Sequence, residues 1–412
     1  MKTLRIEPLL SESNGLTVRR ACRVTRRDGG ETVDQSVLWF LLPAGLSYPD
    51  DTDCDGYLLT MLMDAMSEGR SVSISGSISA DLLSNLDEFQ GAWHVWMPDT
   101  YQIVPIDVDV VREDRRPVEG AVCAFSGGVD GMFTLWRHAR RLAGNRTQAL
   151  RYAVFVHGFD IPLKDEPAYH TNYQRYSETL AGIGVELVAA ATNCRHVQRV
   201  QWGHTYGQAL AGLLMNFKLE AGTGLIGGER PYSKPRIGWG STMLTDHLLG
   251  SGEFRIVTDG CTHDRTQKVA ALANWPEGFR NLRVCWKGGL NDRNCGTCEK
   301  CLRTIANFRA NGLQAPACMS EPADLVKAIR GVTLERATLL TYWEEVCVHA
   351  EANGVQGPWL TEARRLTRRY ARQSIVRERC GRSAAFNLLF CRPVRWYRRL
   401  MRSFATATTN RA

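Results

Sequence analysis

No stretch of this 412-residue chain is long and apolar enough to span a bilayer. Its start, MKTLRIEPLL, puts Arg5 and Glu7 inside what would be the apolar region of a signal peptide, which argues against export. No period recurs along the sequence, which excludes solenoid and propeller arrays. A glycine turn at Ser126-Gly127-Gly128 has no Gly-Lys-Ser/Thr after it, so it is not a Walker loop. Its glycines are also too close together for the dinucleotide fingerprint. Without an export signal, the thirteen cysteines read as thiols and metal ligands rather than a disulfide frame, and the expected location is a bacterial-type cytoplasm.

The charge is unevenly spread. Arg364 to Arg402 carries thirteen arginines against one acid, Glu378, and setting these and Arg411 aside leaves 37 basic and 42 acidic residues. A mildly acidic body therefore precedes a strongly basic tail. Within that tail Trp396, Tyr397, Leu400, Met401 and Phe404 recur at helical spacing opposite Arg395, Arg398, Arg399 and Arg402. Such a basic amphipathic helix suits a nucleic acid, an anionic membrane surface or an acidic protein, or else packs its aromatics on the body.

Three regions are expected. Residues 1–118 read as a β-rich domain: Leu16–Thr25 and Thr32–Leu42 alternate around the hairpin signal Arg27-Asp28-Gly29-Gly30, and Val72–Ile78, Trp93–Trp96 and Tyr101–Val111 look strand-like. Arg112–Gly120, charged and containing Pro117, reads as a linker. From 119 to 318, short apolar runs alternate with helical pieces. The strands are expected at Ala121–Phe125, Arg151–Val156, Val185–Ala191, Gly224–Ile226, Phe254–Val257 and Leu282–Cys285. The helices are expected at Met132–Leu142, Tyr173–Ile183, Tyr206–Glu220, Ser241–Leu249 and Arg265–Leu272. That alternation predicts an α/β fold with a mostly parallel, doubly wound sheet, whose ligands collect at the carboxyl ends of the strands. Residues 319–412 read as helical with a break at Pro393.

Two motifs carry chemistry. In AVCAFSGGVD (121–130) an apolar strand breaks into a glycine turn that opens a helix. Glycines let backbone N–H groups approach an anion, and the helix N-terminus adds partial positive charge. The bland alternative is an ordinary strand-to-helix turn. Asp130 cannot serve an anion itself, so its expected task is to hold Mg²⁺. Downstream, Cys285, Cys295, Cys298 and Cys301 form C-x9-C-x2-C-x2-C with Gly296 as the turning residue, the donor set of a structural Zn²⁺ site. A closed four-sulfur shell leaves no position for a reacting water, so this metal is expected to staple a loop rather than catalyse.

Ser126-Gly127-Gly128-Val129-Asp130 resembles the SGGxDS loop of the N-type (PP-loop) ATP pyrophosphatases. NCGTCEKCLRT at 294–304 is similar to the zinc segment of 7-cyano-7-deazaguanine (preQ0) synthases. The resemblance covers about residues 119–312. It implies an adenine nucleotide alpha hydrolase-like sheet, ATP as co-substrate, and adenylation of a carboxylate with pyrophosphate release before attack by a nitrogen nucleophile. One position departs: the loop's final serine is Gly131 here, which removes a hydroxyl near the phosphates.

On this reading Ser126, Gly127, Gly128, Val129, Asp130, Gly131 and His157 contact the nucleotide, and Asp130, Arg265 and Lys268 carry catalysis. Arg265 and Lys268 are one helical turn apart, placed to steady the departing pyrophosphate. Asp160, Asn193, Arg195, Asp259 and His263 also follow strands, Arg303 and Thr304 follow the cysteines, and His204, Ser241 and Asp246 are weaker candidates. The substrate would be a small-molecule or protein carboxylate, and homo-oligomerisation stays open. Two alternatives remain. One is an RNA-modifying enzyme such as a tRNA thiolase, with Cys194 and Cys261 facing each other as persulfide carriers and the basic tail on RNA. The other is a nucleotide-binding scaffold without turnover.

Overall fold

The computed structural model describes residues 1–285, 291–335 and 337–382. The chain forms two compact units, Met1–Glu321 and residues from Pro322 onward. The first is built on one ten-stranded sheet of order β10-β9-β6-β7-β8-β3-β2-β1-β4-β5. The strands are β1 Lys2–Ser13, β2 Thr17–Asp28, β3 Glu31–Pro43, β4 Ser71–Ser79, β5 Ile106–Arg112, β6 Ala121–Phe125, β7 Leu150–His157, β8 Glu186–Thr192, β9 Thr223–Gly227 and β10 Arg255–Asp259. Its helices are α1 Asp55–Glu68, α2 Ala80–Trp96, α3 Val129–Ala139, α4 Glu166–Ala181, α5 Cys194–Val197, α6 Trp202–Leu214, α7 Arg265–Leu272, α8 Pro276–Arg280 and α9 Glu299–Ala310.

The sheet is mostly parallel, as the alternation predicts. β6, β7, β8, β9 and β10 are all joined by parallel ladders, and β6 is buried along its whole length. The chain runs from β6 outward through β7 to β8, then returns to the other side of β6 for β9 and β10. The direction of winding thus reverses at β6, and the crevice beyond its carboxyl end is a topological switch point. Among the helices, α1 packs on α6, while α3 packs on α7, α7 on α9 and α4 on α8.

Segments 1–118 and 119–318 do not form separate domains. The antiparallel meander β1–β3 joins the parallel strands through β3 and β8, pairing Phe40 with Thr192 and Leu41 with Ala191. Asn193 extends that seam: its side chain accepts from the Trp39 N–H at 2.9 Å and donates to the Val37 carbonyl at 2.7 Å. The N-terminal segment is also not all strand. α1 was not anticipated, and Trp93–Trp96 ends helix α2 instead of forming a strand. Ser79 caps α2 by accepting from the Leu82 N–H at 3.2 Å. Residues 113–118 between β5 and β6 are irregular, as a linker should be.

Buried ion networks bind these segments. Arg26, fully buried, reaches Asp64, Asp34 and Glu68 at 3.0 Å each. Asp53, Asp55 and Glu253 lie close enough to share a cation. The Lys218 ammonium already sits among them, 2.8 Å from both Asp55 and Glu253. A cluster neutralised by the protein's own cation is structural.

In the second unit α10 (Leu325–Arg330), α11 (Ala337–Ala352) and α12 (Pro358–Arg382) pack together, agreeing with the helical expectation as far as Arg382. Trp343, Val346 and Ala350 on α11 and Leu360, Ala363 and Leu366 on α12 are buried at helical spacing. Arg330 meets Glu362 at 3.1 Å, and Arg364 meets Glu351 at 2.8 Å. Pro393 and the amphipathic stretch 395–404 lie outside the described residues.

A candidate phosphate-binding loop and cysteine centre

The glycine turn sits at the switch point. β6 ends at Phe125, and α3 begins at Val129 behind its N-cap Gly128, which has no side chain to cap the first turn. The free N–H groups of that turn and the helix dipole therefore face the crevice. Gly127 adopts φ 76°, and a Cβ there would come within 2.0 Å of the Tyr176 hydroxyl, so only glycine fits. At Gly131 a Cβ would meet its nearest atoms at 3.6 Å, ordinary contact, so a serine is tolerated at the position where the resemblance expects one.

Asp130, Arg265 and Lys268 converge. The Arg265 guanidinium contacts one Asp130 oxygen, and the Lys268 ammonium reaches the other at 3.1 Å while also donating to the Gly228 carbonyl at the end of β9. Burial alone would raise the Asp130 carboxyl, but Arg265 and Lys268 outweigh it and hold it below the usual carboxylate range. Here both of its oxygens are engaged by cations, which fixes two cationic side chains beside the turn, and no Mg²⁺ ligation by Asp130 is shown. Asp264 caps α7 by accepting from the Gln267 N–H at 2.9 Å, and Gln267 returns the bond to Asp264, which sets the helix that presents both cations.

The cysteine quartet gathers into a cage. Cys285 and Cys298 sulfurs are 3.8 Å apart, Cys295 and Cys301 sulfurs 3.9 Å, and all four lie within 4.8 Å of one another. A tetrahedron with bonds of about 2.3 Å has edges of about 3.8 Å, so the group can hold a metal ion such as zinc. Gly296 turns at φ 74°, where a Cβ would strike the Ser320 carbonyl at 1.9 Å. The Cys298 N–H donates to the Cys295 sulfur at 3.3 Å. No cysteine with a described side chain forms a disulfide.

Leu282–Cys285 is not a strand. Its N–H groups at Val284 and Cys285 are taken at 2.8 and 3.1 Å by the side-chain oxygen of Asn294, whose amide donates to the Leu282 and Cys318 carbonyls at 2.8 Å each. Asn294 thus does the work of a neighbouring strand, and the sequence reading missed it. The cage is tied to the turn as well: the Arg283 N–H donates to the Gly127 carbonyl at 2.9 Å. Lys300, on α9, is close enough to feel the same charges; burial first and Arg265 second lower its pKa, with Asp160 opposing.

Other candidates have structural duties. His157 stacks on Tyr169 with centroids 4.5 Å apart and donates Nε2–H to the Pro162 carbonyl at 2.9 Å, the contacts of a packing residue. Asn193 serves the β3–β8 seam. Arg195 donates to the Phe159 carbonyl at 2.7 Å and lies over Trp202. Asp259 pairs with His138 at 3.3 Å, and His263 packs on Phe133. His204 bonds the Tyr101 hydroxyl at 2.7 Å. Arg303 pairs with Glu299 at 2.8 Å, and Thr304 donates to the Lys300 carbonyl at 2.7 Å. Ser241–Leu249, expected as a helix, is helical only as a short 3₁₀ turn at Asp246–Leu249.

Asp246 offers a measurable consequence. Its buried carboxyl accepts from Ser241 and Thr258 at 2.7 Å and from the Thr242 N–H at 2.8 Å, yet burial raises it to about 6. A folded pKa above the unfolded value of about 4 means that the native state binds the proton more tightly, so stability falls as pH rises from roughly 4 to 6. Asp64, also raised to about 6 by burial, adds to the slope. In urea titrations at pH 4.5 and 7, Asp246→Asn should show a smaller loss of stability between the two than wild type. An unchanged difference would show that Asp246 does not carry it.

Cys194 and Cys261 do not face each other. They follow β8 and β10, which are four strand spacings apart, about 19 Å. Burial pushes their thiols up, to about 12 and about 11. No helix among the described residues is long and apolar enough to cross a membrane. Comparison of the chain with protein-family models, curated proteins and solved structures returned no match.

Proposed function

We propose that this protein is an ATP-dependent carbon–nitrogen ligase of the PP-loop type. It would adenylate a carboxylate with release of pyrophosphate and pass the acyl group to a nitrogen nucleophile, as the likeness to 7-cyano-7-deazaguanine synthases implies. The observation that supports it best is the convergence at the switch point of a glycine turn, the open N-terminus of α3 and the Arg265–Asp130–Lys268 group.

The residues divide the work as follows. Ser126–Gly131 would cradle the phosphates through backbone N–H groups. Arg265 and Lys268, held in place by Asp130, would stabilise the charge that develops on the departing pyrophosphate. Asp130 is then a positioning residue, and magnesium would belong to the nucleotide rather than to a protein carboxylate. Zinc is the metal proposed for the cysteine cage, with a stapling role.

The test is product analysis of ATP with candidate carboxylates, deazaguanine acids among them, and ammonia. Pyrophosphate and AMP are expected, with Gly131→Ser equal to or faster than wild type. Formation of ADP and phosphate would refute adenylation. Absence of turnover together with ATP binding would favour the scaffold reading, and turnover that requires RNA would favour RNA modification.

A further inference from the structure

Two buried polar side chains beside the glycine turn are not accounted for by the packing. Arg283 is 4% exposed, and its Nε and Nη2 have no hydrogen-bond partner among the described residues. The Tyr176 hydroxyl, fully buried, has none either. A buried guanidinium with no carboxylate partner among the described residues is an arrangement that folds rarely keep without a reason.

Both residues border Gly127. The Arg283 main-chain N–H donates to the Gly127 carbonyl at 2.9 Å, and the Tyr176 hydroxyl lies so close over Gly127 that any Cβ there would collide with it. The Arg283 charge is near enough to Tyr176 to oppose, as the strongest of the lowering influences, the upward push that burial gives the phenol. Asp130 is not available to Arg283, since Arg265 and Lys268 occupy its oxygens. The α3 N-terminus opens at this turn too.

We infer that Arg283 and Tyr176 complete an anion site on the glycine turn that takes a phosphate-ester or pyrophosphate group. The guanidinium fork matches the spacing of phosphoryl oxygens, the phenol adds a neutral donor, and the helix N-terminus adds N–H groups. The inference rests on the nucleotide-binding reading and deepens it by naming the side chains that hold the pyrophosphate end.

The probe is inorganic pyrophosphate, titrated calorimetrically and by thermal denaturation into the full chain. Wild type should bind it and melt at a higher temperature in its presence. Arg283→Met should bind at least tenfold more weakly, lose the thermal gain, and melt no lower than wild type without the anion, because an unpaired buried charge has been replaced by an apolar chain of similar size. Tyr176→Phe should show a smaller loss in the same direction. An Arg283→Met protein that keeps the pyrophosphate response, or that melts well below wild type without any anion, would overturn the inference and mark Arg283 as structural. So would a wild-type protein that ignores pyrophosphate. The ligase reading is judged separately: Arg283-dependent pyrophosphate binding in a protein that makes ADP from ATP would keep the anion site and discard adenylation.

Discussion

Cys298→Ser is expected to yield a protein without bound metal that is insoluble or melts far below wild type. Wild type should carry about one zinc per chain. Sulfur separations of 3.8 and 3.9 Å bring four thiol groups into contact that only a cation can reconcile once they ionise. Structural zinc in small domains supplies on the order of 10 kcal/mol of folding free energy, comparable to the whole stability of an ordinary domain. The loss should spread, because the residues around the cage have few regular ladders of their own. Asn294 holds 282–285 in place, and α9 packs on α7, which carries Arg265 and Lys268. A chelator added at mild denaturant should reproduce the effect in wild type. Metal analysis that finds no zinc in a folded, soluble preparation would rule out the assignment.

Asp130→Asn should impair both activity and stability, although it alters little volume. The sequence alone treats this position as a ligand of Mg²⁺. With Lys268 fully buried and Arg265 7% exposed, the substitution removes the negative charge that both cations share. Breaking one partner of a buried pair typically costs about 3–5 kcal/mol. The pH dependence has a defined sign. Because the folded pKa of Asp130 lies below its unfolded value, its contribution is fully present above about pH 4 and is lost as pH falls through the lowered folded pKa. Asp130→Asn should therefore lie well below wild type in urea stability at pH 7, converge toward it under strongly acidic conditions, and release pyrophosphate at least a hundredfold more slowly. Equal stability at pH 7 would mean that the carboxylate is a free ligand after all.

The parallel half of the sheet was legible because β6 to β9 contain short, largely buried apolar runs separated by turn and helical segments. α1 was not, for the opposite reason: twelve of its fourteen residues are buried, so it shows no polar face to reveal a helical period. Trp93–Trp96 misled because alternation across four residues is too short to distinguish a strand from a helix end. Leu282–Cys285 has the composition of a strand and buried Leu282 and Val284, but its hydrogen-bond partner is one asparagine side chain, which no local pattern announces. At the site, the glycine turn, the cysteine spacing and the one-turn offset of Arg265 and Lys268 could be read directly. Their attachment to Asp130, more than 130 residues earlier, could not, and neither could Arg283 or Tyr176, because a lone arginine or tyrosine is ordinary until its surroundings are known.

The seam between β3 and β8 sets a timetable for the newborn chain. Phe40 and Leu41 leave the ribosome about 150 residues before their partners Thr192 and Ala191. At translation speeds of about 5–20 residues per second that gap lasts roughly 8 to 30 s. Over that interval the β3 edge is open to other nascent chains, and the face of α1 that will meet α6 is bare. The N-terminal third must therefore outlast its own synthesis as an unfinished sheet, so recombinant yield should depend on temperature and holdase supply, and a fragment ending near residue 118 should be a poor object for isolation.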